Sequence, residues 1–182
     1  MSDLISSNLS DDDKNSWRTD PRVFNALNDE FNFDLDAASS DKNYLVHKDE
    51  GVHLTKEDDA LTCDWSKLEL YYNGSGVFCK SAWINPPYGK GMIRKFMDKC
   101  IEQKERGVTS VLLVPATLET KWVPISEISE IRIFTGGRLS FYHPITNKKI
   151  NGNTKGSMLV IFRPSKNPLS IRLIDRDELL RA

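Results

Sequence analysis

The pentapeptide Asn85-Pro86-Pro87-Tyr88-Gly89 constrains the fold of this chain more than any other segment. Two consecutive prolines donate no backbone hydrogen bonds and hold φ near one value, so neither a strand nor a helix runs through them. Before them, Val77 to Ile84 reads as a strand that stops at Asn85. After Gly91, the residues Met92, Ile93, Phe96, Met97, Cys100 and Ile101 form an apolar stripe among Lys, Arg, Glu and Asp. That spacing predicts an amphipathic helix, closed by Gly107. A strand, a rigid turn and a helix in this order are the repeating unit of an α/β sheet.

The rest of the chain extends that pattern. Asp20 before Pro21 is a helix start, and Val23, Phe24, Leu27 and Phe31 follow at helical spacing. Phe31 to Asp36 alternates with period two and runs into Ala37-Ala38-Ser39-Ser40, a strand entering a tight turn. Ser110 to Val114 is a continuous apolar run bounded by Pro115, as expected of a strand buried on both faces. Ile131–Phe134 and Met158–Phe162 are further strands, whereas 41–67 carries only short elements. The expectation is an α/β fold with a mostly parallel sheet and antiparallel strands near the C-terminus. Residues 17–182 form one domain, preceded by a disordered acidic tail over 1–16.

A formal net charge of −1 conceals a division. Residues 1–70 carry 17 acidic and 7 basic side chains, a balance of −10, and residues 71–182 carry 9 and 18, a balance of +9. The basic part suits a polyanionic partner. No apolar run approaches the roughly 20 residues of a membrane span, and no signal-peptide pattern opens the chain. Cys63, Cys79 and Cys100 are odd in number and far apart, which fits a reducing compartment. They show no metal-ligand spacing with His47, His53 or His143, so neither membrane nor metal is expected.

Chemistry concentrates at the proline turn. An Asn85 amide oxygen and a proline carbonyl can converge as two acceptors on one amino group, and Tyr88 offers a face on which a planar ring stacks. Such a site receives the exocyclic amine of a flat heterocycle and turns its nitrogen lone pair towards an electrophile. The plain alternative is a strand-to-helix turn that happens to contain Pro-Pro.

Asn-Pro-Pro-Tyr resembles the catalytic motif of amino-methyltransferases that use S-adenosylmethionine. The wider pattern is similar to the phage-type DNA N6-adenine methyltransferases, often called Dam-like. The matching pieces are Trp17-Arg18-Thr19, Phe33-Asp34-Leu35-Asp36-Ala37-Ala38, Asp59-Ala60-Leu61 with Asp64-Trp65, and Trp83-Ile84-Asn85-Pro86-Pro87-Tyr88-Gly89. Leu113-Val114-Pro115-Ala116, Thr120-Lys121-Trp122 and Gly137-Arg138-Leu139 with Phe141 complete the series over about 17–162.

The resemblance implies a Rossmann-like class I methyltransferase fold and S-adenosylmethionine as cofactor. It implies that Asn85, Pro86, Pro87 and Tyr88 are catalytic. It places Trp17, Thr19, Asp34, Asp36, Ala37, Asp58, Asp59 and Asn85 around the cofactor. Asp36 would meet the methionine amino group, with Asp34 as the weaker choice. Asp58 or Asp59 would meet the adenine amine, and Thr19, with the first helix N-terminus, the carboxylate. Two features depart from the family pattern: Ala37-Ala38-Ser39 replaces the usual Gly-rich turn, and Thr19-Asp20-Pro21 replaces Thr-Pro. The implied reaction flips adenine out of double-stranded DNA, stacks it on Tyr88 and transfers the methyl group directly to N6.

Lys90 and Arg94, and Arg138, Lys148, Lys149 and Lys155 of a basic loop over 135–157, are the expected DNA contacts. A solvated hairpin is the plain reading of that loop. Other acceptors fit the same motif, namely cytosine N4, RNA guanine N2 or a protein glutamine, as does a catalytically idle DNA-binding relative. A chain of this length is expected to draw its sequence specificity from short insertions or from a dimer, and the sequence leaves monomer and homodimer both open. It would act in the cytoplasm of a bacterial host, if phage-encoded.

Overall fold

The computed structural model of the protein describes residues 17–40, 43–46, 51–72, 75–143, 146–150 and 155–181. The expected acidic tail, 1–16, lies outside them. Helix α1 (Pro21–Phe31) starts as its sequence predicts: the Asp20 side chain accepts a hydrogen bond from the Arg22 amide at 3.0 Å. Val23, Phe24, Leu27 and Phe31 are its buried stripe, and Asn32 ends it in the left-handed region at φ 46°.

Because α1 retains Phe31, the strand expected from that residue shrinks to β2 (Leu35–Asp36). β1 (Arg18–Thr19) precedes α1, and β3 (Val52–His53) lies beside β2. The expected strand Val77–Ile84 is two strands. Val77 and Phe78 belong to β5 (Ser75–Phe78), which forms an exposed hairpin with β4 (Glu69–Tyr72); β6 starts afresh and spans Ser81–Ile84. Helix α2 (Met92–Glu105) follows, entered through Gly91 at φ 77°, a conformation that only glycine adopts without strain.

The C-terminal half adds β7 (Thr109–Pro115), β8 (Glu130–Thr135), β11 (Ser157–Phe162), β12 (Ser170–Asp175) and the short helix α3 (Arg176–Leu179). The main sheet has seven strands in the order β12-β8-β11-β7-β6-β2-β3. Its antiparallel character is narrower than expected. β11 alone runs against its neighbours β7 and β8, while β12 is parallel to β8. The β12 run, Ser-Ile-Arg-Leu-Ile-Asp, leaves Ile171 and Leu173 exposed at the sheet edge.

β7 explains the two-layered core. Leu112 and Val114 join Ile84, Trp65, Phe96, Met97 and Cys100 on the α2 face; Val111 and Leu113 join Trp83, Val23, Phe24 and Leu27 on the α1 face. A strand covered on both sides has no polar face to show, hence its unbroken apolar run. At the amino edge of the sheet, buried Arg132 is held by Glu130 at 2.8 Å and Glu30 at 2.6 Å, and lies over the Phe31 ring. The charge is buried only because it is paired.

A second, three-stranded sheet has the order β1-β9-β10, with β9 (Phe141–Tyr142) and β10 (Lys149–Ile150) from the segment expected to be a loop. Arg18 pairs with Tyr142 and Thr19 with Phe141, so this basic hairpin is fastened to the start of the domain.

Candidate active site

β2, β6 and β7 are parallel, so their ends at Asp36, Ile84 and Pro115 point to one edge of the sheet, with β7 reaching three residues beyond β6. Asn85 continues from β6 at that edge. Its Nδ2 donates to the Trp17 carbonyl at 2.9 Å, and its Oδ1 faces the Tyr88 hydroxyl at 3.3 Å. The same hydroxyl reaches the Leu113 carbonyl at 3.4 Å. Burial of that end of Tyr88 pushes its pKa up, so it remains a neutral donor, although the residue as a whole is 38% exposed. Pro86 is buried and Pro87 half-buried beside it.

Tyr88 forms one wall of a cleft of about 480 Å³. Trp17, Trp122, Phe141 and Pro115 supply further apolar surface, Thr117 and Thr120 supply hydroxyls, and Lys90, Arg94 and Lys155 supply positive charge. Three of the six expected DNA contacts therefore meet at the proline motif. Arg94 also pairs with Asp98, one helical turn on, at 2.8 Å. Lys148 and Lys149 are exposed on the small sheet, and Arg138 is exposed outside the lining of the cleft.

The expected cofactor residues divide by edge. Asp36 is buried at the carboxyl edge, next to β6. Its oxygens accept from the Leu45 amide at 2.9 Å and the Ala38 amide at 3.4 Å. Burial nevertheless pushes its pKa up to about 7, against those hydrogen bonds. Ala37 is buried too, its amide bonded to the Trp83 carbonyl at 3.0 Å. Asp34 sits at the opposite edge, where its Oδ2 accepts from the Lys80 amide at 2.8 Å and the Ser81 amide at 3.1 Å. It seats the start of β6 and is not brought to the motif.

Asp58 Oδ2 is taken up by the Thr55 amide and hydroxyl, both at 2.8 Å, and these bonds lower its pKa. Asp59 is exposed, in the left-handed region at φ 47°, with Oδ1 accepting from the Leu61 amide at 3.3 Å. The N-terminus of α1 is capped by Asp20's own carboxylate, which Arg22 pairs at 2.7 Å. An external carboxylate cannot take that capping position.

Thr19, only 1% exposed, leaves its hydroxyl without a hydrogen-bond partner. Trp17 Nε1 and Arg18 Nε, both buried, are unpartnered as well. Three consecutive residues thus carry buried polar atoms without a protein partner, next to the Trp17 carbonyl that meets Asn85, and such atoms are completed by a ligand or by water. Arg18 was legible only as part of Trp17-Arg18-Thr19, and nothing in the sequence said that its Nε would be buried. Tyr44 and His53 were not singled out either; their rings stack at 4.5 Å, with His53 paired in register with Asp36.

The sequence matches, over residues 6–182, the family described as DNA N-6-adenine-methyltransferase (Dam). The chain belongs to this family. A Dam-family relative from Haemophilus phage HP1 (strain HP1c1), named DNA N-6-adenine-methyltransferase, is 31% identical over 166 residues, spanning 88% of this chain and 86% of the relative. Another of the same name, from Escherichia phage T1, is 29% identical over 176 residues, spanning 87% and 67%. No solved structure matches the chain significantly. The Dam match takes in both the proline motif and the small sheet that braces it. Among the described residues, no cluster of His, Cys, Asp or Glu could hold a metal ion, and no helix is long and apolar enough to cross a membrane.

Proposed function

We propose that this Dam-family chain transfers a methyl group from S-adenosylmethionine to N6 of adenine in double-stranded DNA, on a Rossmann-like class I scaffold. The observation that carries the reading is Asn85. Its amide nitrogen is engaged by Trp17 and its amide oxygen faces the Tyr88 hydroxyl, and both of these partners line the cleft that holds Lys90, Arg94 and Lys155. The Rossmann-like assignment is supported by connectivity. From β2 the chain steps outward to β3, then returns to β6 on the other side of β2 and continues outward to β7. That reversal opens a crevice at the carboxyl ends of the strands, where such sheets bind ligands, and Asp36 and Asn85 flank it.

The residues present fit the cofactor. The unpartnered Thr19 hydroxyl, Trp17 Nε1 and Arg18 Nε suit a carboxylate and other acceptors, and Asp36 suits an ammonium group. Asp59, next to Leu61, is better placed than Asp58 for an adenine amine, because Thr55 already engages Asp58. When bound, S-adenosylmethionine supplies an electrophilic methyl group on a sulfonium. The chain's own work is to hold the acceptor. A base flipped from the duplex at a cost of a few kcal/mol rests on Tyr88. Asn85 Oδ1 and the Pro86 carbonyl accept its two N–H bonds, which leaves the lone pair directed outward. Lys90, Arg94, Lys155 and the hairpin residues Lys148 and Lys149 hold phosphates, with Arg138 further out. The phage origin of both relatives supports action on DNA inside a bacterial host.

Labelled-methyl transfer to DNA, RNA and protein substrates tests the reading. Label in DNA that digests to N6-methyl-2′-deoxyadenosine is expected; label in RNA or protein alone, or in no substrate, would overturn it.

A further inference from the structure

We propose that the backbone carbonyl of Trp17 is a positioning group that sets which way the Asn85 amide faces, so that the site requires an amide and not a carboxylate there. The proposal rests on the function proposed above and deepens it. The two ends of an asparagine amide are similar in size, and a half-turn about its last torsion exchanges donor for acceptor. Trp17 removes that freedom. A carbonyl oxygen only accepts, so the side chain must present Nδ2 to it, as it does at 2.9 Å. Oδ1 is then committed to the side of Tyr88, whose hydroxyl lies 3.3 Å away and whose ring lines the cleft.

The lock is itself held in place. Trp17 immediately precedes β1, which is paired residue by residue with β9, and the Trp17 ring packs on Phe141 with centroids 6.2 Å apart. A segment 68 residues away in sequence therefore orients the motif, and it does so through the sheet that also carries Lys149.

A carboxylate at position 85 would put oxygen against oxygen. Only its protonated form can donate to Trp17, so repulsion raises its pKa, and the active fraction falls as pH rises through that value. In N85D the kcat for methyl transfer, divided by that of the wild type at each pH, should drop about tenfold per unit above the raised pKa. At pH 8 it should lie roughly 10- to 100-fold below unity. A ratio independent of pH, at any level, overturns the proposal.

Hydrogen exchange of the Asn85 side-chain amide provides a measurement independent of activity, and of whether N85D folds. In the wild-type spectrum one Nδ2 proton should exchange at least about tenfold more slowly than those of solvent-exposed asparagines. Exchange of both protons at the exposed rate overturns the lock. A wild-type protein that shows the protected proton yet methylates no DNA would sink the functional reading and leave the lock standing.

Discussion

Asn85 and Asp36 stand at the ends of adjacent strands, and their surroundings treat them differently. Asn85 has its donor engaged by Trp17 and its acceptor turned to Tyr88. Asn85→Ala removes both, and methyl transfer should fall by about 10²- to 10³-fold, the usual loss on deleting one preorganised polar group. The melting temperature should change little, and labelled-methyl transfer beside a thermal melt checks both. Asp36 is buried with two backbone amides for partners, and its pKa is pushed up to about 7. An unfolded chain ionises this carboxyl near pH 4, so between about 4 and 7 the folded state binds the extra proton. Its contribution to stability is complete below that window and is lost as pH rises to about 7. Thermal melts of the cofactor-free protein should therefore fall across this range relative to Asp36→Asn, then run parallel above it. Parallel curves throughout would show that burial does not perturb this group.

At the level of elements, the legible parts were those whose apolar spacing reports their own burial. The stripes Val23-Phe24-Leu27-Phe31 and Phe96-Met97-Cys100 placed α1 and α2, and the unbroken run in β7 announced a strand covered on both faces. β5 and β6 escaped because Val77-Phe78 and Ala82-Trp83-Ile84 are equally apolar, although the former are exposed and the latter buried. Asp34 misled for a related reason. Period-two spacing puts it on the same side of the chain as Asp36, but β2 is only two residues long, and Asp34 falls at the amino edge. The Asp20 cap was read correctly, and its energetics are testable. Burial opposes ionisation of Asp20, yet hydrogen bonds from Arg22 outweigh it and hold the pKa below the ordinary carboxylate range. Asp20→Ala should cost about 1–2 kcal/mol at neutral pH. That difference should persist above pH ~4 and vanish as pH falls through the lowered pKa, as followed by denaturant titration.

Across the whole molecule, the −10 and +9 halves of the sequence do not separate in space. β1, from the acidic half, is stitched into the hairpin of the basic half, and Asp36 lies one strand from Asn85. Lys90, Arg94 and Lys155 nevertheless line the cleft, and Lys148 and Lys149 lie in the hairpin of the small sheet. Reversing Lys148 and Lys149 to Glu should weaken DNA binding, with the slope of log K against log salt shallower by roughly 2. Cofactor affinity should be untouched, and equal loss of both would show that these lysines serve the fold. By itself the sequence determined the α/β class and the proline turn between strand and helix, because backbone restriction and apolar spacing are local properties. Tertiary structure alone decided what the turn is braced against. That the Trp17 carbonyl meets Asn85, that Thr19 is left with an unpartnered buried hydroxyl, and that Asp34 and Asp36 part to opposite edges all depend on pairings between distant segments. No local preference encodes them, because each depends on which groups burial brings together, or leaves without a partner, once distant segments pack.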